Sequence, residues 1–497
     1  MSSSASNPTS GLLYGLDDKP PPGKAAVLGL QHVLTMFGST VAVPLLLGPP
    51  MGLDTAGTAL LISSVMLCSG VATLLQSTFG SRLPIIQGVS FSFLAAFFAI
   101  IAAVHPEGEP VTPGAAMPYI AGAVIVGAAF EIVIGFTGLM GLVRKVLSPV
   151  VVGPVIMLIG LALYQAGAPV AASHWPIAIL TLVLIVVFSF MLARKALVFR
   201  MFPMLLAILG SVGVCGLMSI IGVFGDGHPA RPDLSAFGEA DWVRVDTLVF
   251  PWGLPRFELA FVVAVLAGFL ASMIESFGDY HACKQMATGD GADGNDPNPT
   301  PAEISRGIGF EGVGCALTGA FGGFSSTSYS ENVGLIGLTR VGSRYVVQIA
   351  AVFLILLGVF GKFGALAAAI PTPVVGGLYC AMFGLIAAVG VRQFARADLT
   401  SDRNLFIGGF ALFMGISVPY YFANGGADAV SATLPAWAAD LTNALGNTGM
   451  AVAAILGITL DNVVPGTKQE RGLLHTPSVL IPEADDVDAV PAIGENR

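Results

Sequence analysis

The stretch from Thr327 to Arg340, TSYSENVGLIGLTR, decides the fold because it carries Glu331 and Asn332 inside an otherwise apolar region that runs from about 257 to 466. A carboxylate deep in a bilayer costs about 2.5 to 3.5 kcal/mol on insertion scales, and such acids usually face a pathway. The preceding residues, GGFSSTSYS, are too polar to face lipid, and this kind of backbone is tolerated in a membrane only where it lines a cavity. The stretch therefore predicts a binding site within the membrane.

The composition agrees with this interpretation and excludes a soluble globule. The chain has 497 residues, of which 55% are hydrophobic and 11% are charged, and a soluble surface needs about twice that charge. The five cysteines lie in or beside apolar segments, so we expect packing residues and no disulfide framework. The N-terminus lacks the basic start and apolar core of a cleaved signal, and we expect the first span to act as the signal.

Windows of about 20 apolar residues predict an all-α polytopic membrane protein with 14 transmembrane segments. The first seven are predicted at 25–47, 55–79, 83–104, 118–139, 144–165, 173–194 and 202–223. The second seven are predicted at 257–286, 308–323, 326–341, 345–369, 372–393, 403–422 and 449–466. A polar stretch separates the two sets and is predicted to be an external loop.

The distribution of Lys and Arg tests this count independently, because these residues collect on the cytoplasmic side. With the N-terminus inside, all but four of the 22 basic residues fall on the cytoplasmic side; the exceptions are Arg231, Arg244, Arg256 and Lys362. The pattern predicts an even number of spans and two cytoplasmic termini.

Seven spans in each half predict an inverted repeat, because the second half then starts on the opposite side of the membrane. Two short interrupted segments recur at an offset of about 240 residues, PIIQGVSFSF around Ser90 and TSYSENVG around Ser330. Gln31 and His32 in the first span likewise correspond to Glu275. We expect half-helices or strands at these two segments, with their helix N-termini pointing at a site near the bilayer midplane.

Glu275 and Asp279 form the second candidate constellation, since they stand at i and i+4 on one face of a long apolar helix. Two acids this close in a low dielectric favour one protonated member, which is suited to ion coupling. A purely structural role is the alternative for both, and it carries more weight for Asp279.

Other buried polar residues are interpreted more conservatively. His32 alone is more often an interhelical hydrogen-bonding residue than a ligand, whereas Gln31 could orient a substrate or the acid opposite it. Glu131 and Asp461 have no obvious partner in the sequence and are predicted to be structural. Glu311 and Lys362 are placed near span ends, with the Lys362 amine expected to snorkel.

The segment ENVGLIGLTR resembles the signature of the nucleobase/ascorbate transporter family, which includes bacterial uracil permease, fungal purine permeases and vertebrate ascorbate transporters. Further segments are similar to that family in the same order: QHVLTMFGSTVAVP, QGVSFSF, ESFGDYHAC, FEGVGCALTGAFGG, GSRYVVQ, GKFGALAAAIPTPVVGG, DRNLFIGGF and LDNVVPGTKQERG. The resemblance implies a homodimer of 14-span subunits in which a core domain carries substrate past a gate domain in an elevator-like movement.

The domain boundaries follow from this resemblance. The core domain is expected at 25–140 and 257–370 (spans one to four and eight to eleven), and the gate domain at 141–223 and 371–466 (spans five to seven and twelve to fourteen). A cytoplasmic N-terminal segment (1–24), an external loop (224–256) and a cytoplasmic tail (467–497) complete the chain. The location implied is the plasma membrane, or the inner membrane of a bacterium.

The resemblance also implies residue roles. Glu275 matches the acid that binds the nucleobase, Glu331 the second ligand and Asn332 its supporting neighbour. Phe91 matches the aromatic residue whose backbone amide meets the base. The substrate-binding set predicted is Glu275, Glu331, Phe91, Ser90, Ser330, Asn332, Gln31 and Tyr329, and the proton- or cation-coupling set is Asp279, Glu275 and His32.

The substrate prediction depends on two positions. Bacterial uracil permeases resemble this chain at Glu331 but carry His at the position of Asp279, whereas purine and ascorbate transporters resemble it at Asp279. The ascorbate branch has Pro at the position of Glu331, and purine transporters more often have Gln. Uracil is the first choice, because carboxylates accept its ring N–H groups, and a purine such as xanthine is the runner-up.

We expect a proton as the coupling ion with sodium as the alternative, no metal or organic cofactor, and no nucleic-acid partner. A different class, an anion exchanger or channel of the same seven-plus-seven fold, remains open because fold does not fix function. Acids at the predicted site disfavour a bound anion. An enzyme is not predicted, since the sequence contains no motif such as HExxH.

Overall fold

The computed structural model describes residues 12–105, 110–245, 247–288 and 296–473, and this part of the chain is almost entirely helical. The helices of the first half are α1 (Pro22–Leu47), α2 (Thr55–Thr78), α3 (Leu94–Val104), α4 (Met117–Thr137), α5 (Met140–Val146), α6 (Pro149–Ala162), α7 (Tyr164–Ala171), α8 (Trp175–Val186), α9 (Leu197–Met201), α10 (Pro203–Ile220) and α11 (Ser235–Glu239). Those of the second half are α12 (Leu259–Thr288), α13 (Pro301–Phe321), α14 (Ser330–Thr339), α15 (Arg344–Val359), α16 (Gly361–Ala368), α17 (Thr372–Phe394), α18 (Asp402–Tyr421), α19 (Ala427–Thr433), α20 (Ala436–Gly446) and α21 (Gly449–Val463).

Each of the fourteen segments that the sequence predicts contains a helix in the described part of the chain. Nine helices are long and apolar enough to span a bilayer by themselves. Two more spans are sharply bent helix pairs: α15 with α16, at 80°, and the end of α20 with α21, at 93°. The remaining three are the short α3 and α14 and the more polar α13. The protein is therefore an all-α polytopic membrane protein.

The repeat is clearest where two short strands meet, β1 (Gln87–Val89) and β2 (Ser326–Ser328). They pair antiparallel, with Gln87 opposite Ser328 and Val89 opposite Ser326. The ladder extends by one bond at each end, from the Ser90 N–H to the Ser325 carbonyl (2.9 Å) and from the Tyr329 N–H to the Ile86 carbonyl (3.0 Å). These extra bonds are related by the local two-fold symmetry that an inverted repeat requires.

Gly88 at the centre of β1 allows the aromatic ring of Tyr329 to pack against the crossing strands. A Cβ on Gly88 would lie 2.5 Å from the Tyr329 ring carbon Cζ, so no other residue fits without a shift. The Tyr329 hydroxyl donates to the Val89 carbonyl (2.9 Å) and accepts from the Thr40 hydroxyl (3.3 Å). The tyrosine thus ties β1 to the second half and to α1.

The helices pack in two groups. In one group, α4 packs against α12 and α13, and α2 packs against α13, α15 and α16. In the other, α17 packs against α6, α7 and α8, and α18 packs against α6 and α21. The strand crossing belongs to the first group, and α3, α6, α12 and α20 contribute to the contacts between the groups. Each group combines elements from both halves of the chain.

Several span bounds differ from those the sequence predicts. The predicted span 83–104 contains β1 and a short helix, and 326–341 contains β2 and α14. The helix predicted at 308–323 starts earlier, at Pro301, because Thr300 and Glu303 form a capping box before it. Glu311 therefore lies in the middle of α13 and is 1% exposed, so its predicted position near a span end is wrong.

Asp461 near the end of α21 has the partners that sequence analysis did not find. Its carboxylate accepts from Arg403 Nη1 (3.0 Å) and from Arg471 Nη2 (2.7 Å), and it is buried between them. Glu470 beside Arg471 accepts from the Ser401 hydroxyl, and this bond, with the Thr467 N–H, lowers the pKa of the half-buried Glu470 carboxyl. Residues 467–473 are thereby fastened to α18 and α21.

The prediction that the Lys362 amine snorkels toward the membrane surface is also wrong. The side chain is 9% exposed, and its Nζ donates to the backbone carbonyls of Phe237 (2.6 Å) and Gly238 (3.1 Å). It is enclosed because α11, in the loop between the two halves, folds over the start of α16. The buried amine is thus stabilised by backbone acceptors.

Candidate functional site

The candidate site lies around the strand crossing, where two short helices begin. A 3-10 turn at Phe91–Phe93 leads from β1 into α3, and α14 starts at Ser330, two residues after β2. The first N–H groups of a helix have no intrahelical acceptor, and the helix dipole makes this end electropositive. The antiparallel crossing therefore supplies two sets of backbone donors within one small region.

Asp279 on α12 is bound directly to the second of these turns. Its Oδ2 accepts from the Ser328 hydroxyl (2.6 Å), and its Oδ1 accepts from the Ser330 hydroxyl (2.7 Å). The side chain is buried, with 8% exposure. Both oxygens are thus occupied by donors from the segment that joins β2 to α14, which fixes that segment against α12.

Glu275 stands one turn earlier on the same helix and is in a different situation. It is partly exposed, and within the described residues its carboxylate has no hydrogen-bond donor. It lies close to both Asp279 and Glu331 in space. A half-buried carboxylate with free acceptor oxygens is suited to bind the N–H groups of a ligand.

Glu331 and Asn332 point in different directions from the first turn of α14. Glu331 is exposed, and its Oε1 accepts one bond, from the Ser39 hydroxyl on α1 (3.3 Å). Asn332 is fully buried, and its Nδ2 donates to the His32 backbone carbonyl (2.9 Å) and lies 3.2 Å from His32 Nδ1. The predicted pair therefore divides into one accessible acid and one amide that holds α14 on α1.

The remaining predicted residues are placed as follows. The Ser90 hydroxyl accepts from the Ser92 N–H (3.2 Å), and the Phe91 side chain is half-buried at the start of the turn. Gln31 is half-buried, and its Oε1 is enclosed without a donor among the described residues. His32 is buried against Asn332, and the Tyr329 hydroxyl is used in the strand crossing. The roles predicted for His32 in coupling and for Tyr329 in substrate binding stay predictions.

Sequence analysis missed Glu311, which lies behind the crossing. Its Oε1 accepts from the hydroxyls of Ser276 (2.7 Å) and Ser272 (3.1 Å), and its Oε2 accepts from the Tyr280 hydroxyl (2.7 Å) and from Gln87 Nε2 (3.5 Å). The signal was present in the spacing of Ser272, Ser276 and Tyr280, which recur every four residues along one face of α12. Among the buried carboxylates described near the site, Glu311 accepts the most hydrogen bonds.

Glu131 on α4 lies beside this network and does not share its donors. The side chain is fully buried, and in the described part of the chain neither carboxylate oxygen has a hydrogen-bond partner. The structural role predicted for Glu131 stays a prediction, whereas Asp461, for which the sequence showed no obvious partner, is paired with Arg403 and Arg471.

A family match decides the identity of this site. The profile Xan_ur_permease, described as "Permease family", matches residues 23–424, which include both strands and every acid of the candidate site. The chain belongs to the nucleobase/ascorbate transporter family. Members of the nucleobase/ascorbate transporter family are transporters, and this protein is accordingly an integral membrane transporter and not an enzyme.

Individual relatives agree with the family assignment. The chain is 38% identical over 511 residues to human solute carrier family 23 member 2, covering 93% of this chain and 76% of the relative. It is 35% identical over 485 residues to nucleobase-ascorbate transporter 2 of Arabidopsis thaliana, covering 93% of this chain and 90% of the relative. A solved structure, the transmembrane domain of the cyanobacterial bicarbonate transporter BicA, superposes with a TM-score of 0.48 at 16% identity over 89% of this chain and 99% of that chain.

Proposed function

We propose that this transporter imports a nucleobase, with uracil as the first choice, by symport with protons. The observation that carries the proposal is the pair of accessible acids at the strand crossing. Within the described residues Glu275 has no donor, and Glu331 has only the Ser39 hydroxyl. Carboxylates only accept hydrogen bonds. A ligand that fits them must offer at least two N–H or O–H donors on its edge.

Uracil meets this requirement and also uses the helix N-termini. Its ring N–H groups suit Glu275 and Glu331, while its two carbonyl oxygens suit the backbone N–H groups at Phe91 and at the start of α14. A flat apolar face would rest on the half-buried Phe91 ring. In this arrangement Gln31, with its free Oε1, is available for a further N–H.

Proton coupling is proposed to act through Asp279, assisted by Glu275. Asp279 is hydrogen-bonded to Ser328 and Ser330 at the root of α14, and Glu275 stands one turn away on the same helix. A change of charge on Asp279 therefore alters the hydrogen bonds that fix the segment between β2 and α14 against α12. Sodium is the alternative ion, because carboxylate and hydroxyl oxygens are hard ligands.

A purine such as xanthine is the second candidate. The Arabidopsis relative is named for nucleobases and ascorbate together, and Asp279 is the residue that purine and ascorbate carriers share by resemblance. An anion exchanger or channel is disfavoured, since Glu275, Asp279 and Glu331 gather negative charge where an anion would have to bind.

The movement proposed is an elevator in which the core domain (25–140 and 257–370) slides against the gate domain (141–223 and 371–466) of a homodimer. The two packing groups of helices support this division, and so does the location of every proposed ligand on the first group. Both termini are proposed to be cytoplasmic, from the distribution of basic residues.

Uptake of radiolabelled uracil, xanthine and ascorbate into cells that lack their own carriers tests the proposal. We expect uracil to enter fastest, with faster uptake at lower external pH and no requirement for sodium. Glu275→Gln should abolish uracil binding, because an amide presents a donor where the ring N–H needs an acceptor. Glu239→Gln, in the exposed loop helix α11, is the matched control and should behave as wild type. Wild-type uptake by Glu275→Gln would refute the assignment.

A further inference from the structure

The inference concerns the two carboxyl groups behind the strand crossing, Glu131 and Glu311. At Gly312, next to Glu311, a Cβ would lie 2.9 Å from the Ile132 backbone N and 3.1 Å from the Ala128 carbonyl O. α13 and α4 are thus in backbone contact where these two glutamates stand, and the carboxyl groups lie close to each other. Both side chains are at most 1% exposed.

The two acids differ in the number of hydrogen-bond donors around them. Glu311 receives four donors, from Ser272, Ser276, Tyr280 and Gln87, which is the arrangement that stabilises an ionised carboxylate. Glu131 receives none among the described residues. A fully buried carboxylate without a donor or a counter-ion is far too costly to persist in the charged form, and such a group takes up a proton instead.

Among the described residues, no cationic side chain lies near the pair to compensate a second negative charge. The titratable groups that face the two glutamates are Tyr280 and Glu275 on α12 and Cys315 on α13, and none of these is cationic. α2 and the strands contribute neutral groups, Gln76, Gln87 and Ser326. In the described residues neither glutamate forms an ion pair. Two adjacent negative charges cannot both persist there.

We propose that Glu131 and Glu311 form an enclosed site in which Glu131 keeps one proton, and that Glu311 exchanges a second proton with the transport pathway through Asp279. Two serine hydroxyls connect the enclosed pair to Asp279. Ser276 Oγ lies 2.7 Å from Glu311 Oε1 and 3.0 Å from Ser328 Oγ, and Ser328 Oγ lies 2.6 Å from Asp279 Oδ2. The acids at the two ends are thus joined by an unbroken row of hydrogen-bonding oxygens.

The row can carry one proton with all atoms and charges balanced. When Asp279 is protonated and Glu311 is ionised, Asp279 donates to Ser328, Ser328 to Ser276, and Ser276 to Glu311. Transfer of one proton across each of these three bonds leaves Asp279 ionised and Glu311 protonated, and it reverses the direction of each hydroxyl. No net charge is created on either serine. The pair would then hold two protons until one returns by the same route.

The coupling role of this site rests on the proposed proton symport, but its occupancy can be measured without any substrate. The experiment is infrared difference spectroscopy of the full-length purified carrier in lipid at neutral pH, transferred from H2O to D2O. We expect a carbonyl stretch of a protonated, buried carboxyl group in the wild type. This band should be lost in Glu131→Gln and should shift in Glu311→Gln, which serves as the second variant if the first does not fold.

Exchange kinetics test the connection to Asp279. Ser328→Ala removes one oxygen of the row. At a pH low enough to protonate Glu311, we expect this variant to slow the deuterium shift of the Glu311 carboxyl band by on the order of tenfold or more. Ser326→Ala is the matched control, because Ser326 is an equally buried serine of the same strand that bonds with Cys315 and lies outside the row. It should exchange as wild type.

Two outcomes would overturn the proposal. A wild-type spectrum whose carboxyl bands are the same in Glu131→Gln and in Glu311→Gln would show that the pair holds no proton. Equal exchange rates in wild type, Ser328→Ala and Ser326→Ala would show that Asp279 is not the route. Neither result depends on which base the carrier transports. Failure of the uracil proposal would be seen only in the uptake assay and is therefore distinguishable from failure of the proton-site proposal.

Discussion

The two segments that cross at the centre of the protein have nearly the same backbone and very different chemistry. The first arm is β1 with Ser90 and the helical turn that leads into α3; the second arm is β2 with Tyr329 and α14. In the first arm the Ser90 hydroxyl accepts from its own chain, at the Ser92 N–H. In the second arm the Ser330 hydroxyl donates to Asp279 on α12. The first arm stabilises itself, whereas the second is bound to an acid.

This difference indicates how an inverted repeat acquires a function. The strand ladder and the two helix N-termini form a symmetric frame. Each half of the chain contributes one equivalent arm to this frame. The acids Glu275, Asp279 and Glu331 all come from the second half, whereas the first half contributes neutral or weakly basic groups to the site, such as Gln31 and His32. The chemistry is thus asymmetric although the geometry is symmetric, and the following substitutions test that division of roles.

The largest effect is expected from Gly88→Ala, which breaks the frame itself. The new Cβ would lie 2.5 Å from the Tyr329 ring, so the ring must move and both arms separate. We expect the free energy of unfolding to fall by about 1 to 3 kcal/mol and uptake to fall to background. Gly216→Ala in α10 is the control, because a Cβ there meets nothing within 4 Å. Thermal unfolding and uptake assays of both variants measure these effects. Normal stability together with normal uptake in Gly88→Ala would contradict the role of the crossing.

Glu331→Gln tests whether the second arm carries the specificity. Loss of one charge-assisted bond should cost about 1.5 to 3 kcal/mol, or roughly 10- to 150-fold in uracil affinity. The amide can also donate, which suits a ligand edge with an extra acceptor, so xanthine should be admitted. Competition of labelled uracil by unlabelled xanthine measures both effects. A wild-type carrier that already prefers xanthine would overturn the pyrimidine assignment.

Asp279→Asn separates coupling from binding. Because Asp279 touches the arm and need not touch the base, we expect uracil affinity to change by less than about tenfold. The response of uptake to pH should disappear, since the variant has no carboxyl to protonate at that position. Binding by thermal shift and uptake after a pH jump measure the two effects separately. A collapse of affinity with an intact pH response would make Asp279 a substrate ligand.

The smallest effects are expected from a matched pair, Ser90→Ala and Ser330→Ala. Ser90→Ala removes a local cap and should lower stability by about 1 kcal/mol without changing the pH response. Ser330→Ala removes a donor from Asp279 and should weaken transport roughly fivefold, for a bond of about 1 kcal/mol, and shift its pH profile. If the two variants had the same pH profile, the chemical difference between the arms would have no functional meaning.

Much of the frame could be predicted because its signals are local. An interruption by Gly and Ser in an apolar chain, repeated around Ser90 and Ser330, predicts two short segments at equivalent positions, and β1 and β2 lie there. Spacing along a single helix was equally sufficient to place Glu275 and Asp279 one turn apart. Such patterns need only the period of the helix.

The partners of buried charges were harder to predict, because they come from distant parts of the chain. Glu311 is satisfied by Gln87, which is 224 residues away, and by three residues of α12. Asp461 is satisfied by Arg403 and by Arg471, which belongs to the segment predicted to be the cytoplasmic tail. Hydrogen-bond satisfaction depends on packing between elements, and a single sequence does not give that packing.

The attachment of residues 467–473 has a practical consequence for reporter fusions. Arg471 and Arg403 together neutralise the buried Asp461 carboxylate, and a fluorescent protein joined before residue 467 would remove one of these two cations. Detergent extraction would then favour aggregated protein, because a buried charge left with half its partners destabilises the helices around it. Joined after residue 473, the same reporter leaves both arginines in place, and its fluorescence should report folded carrier in the membrane.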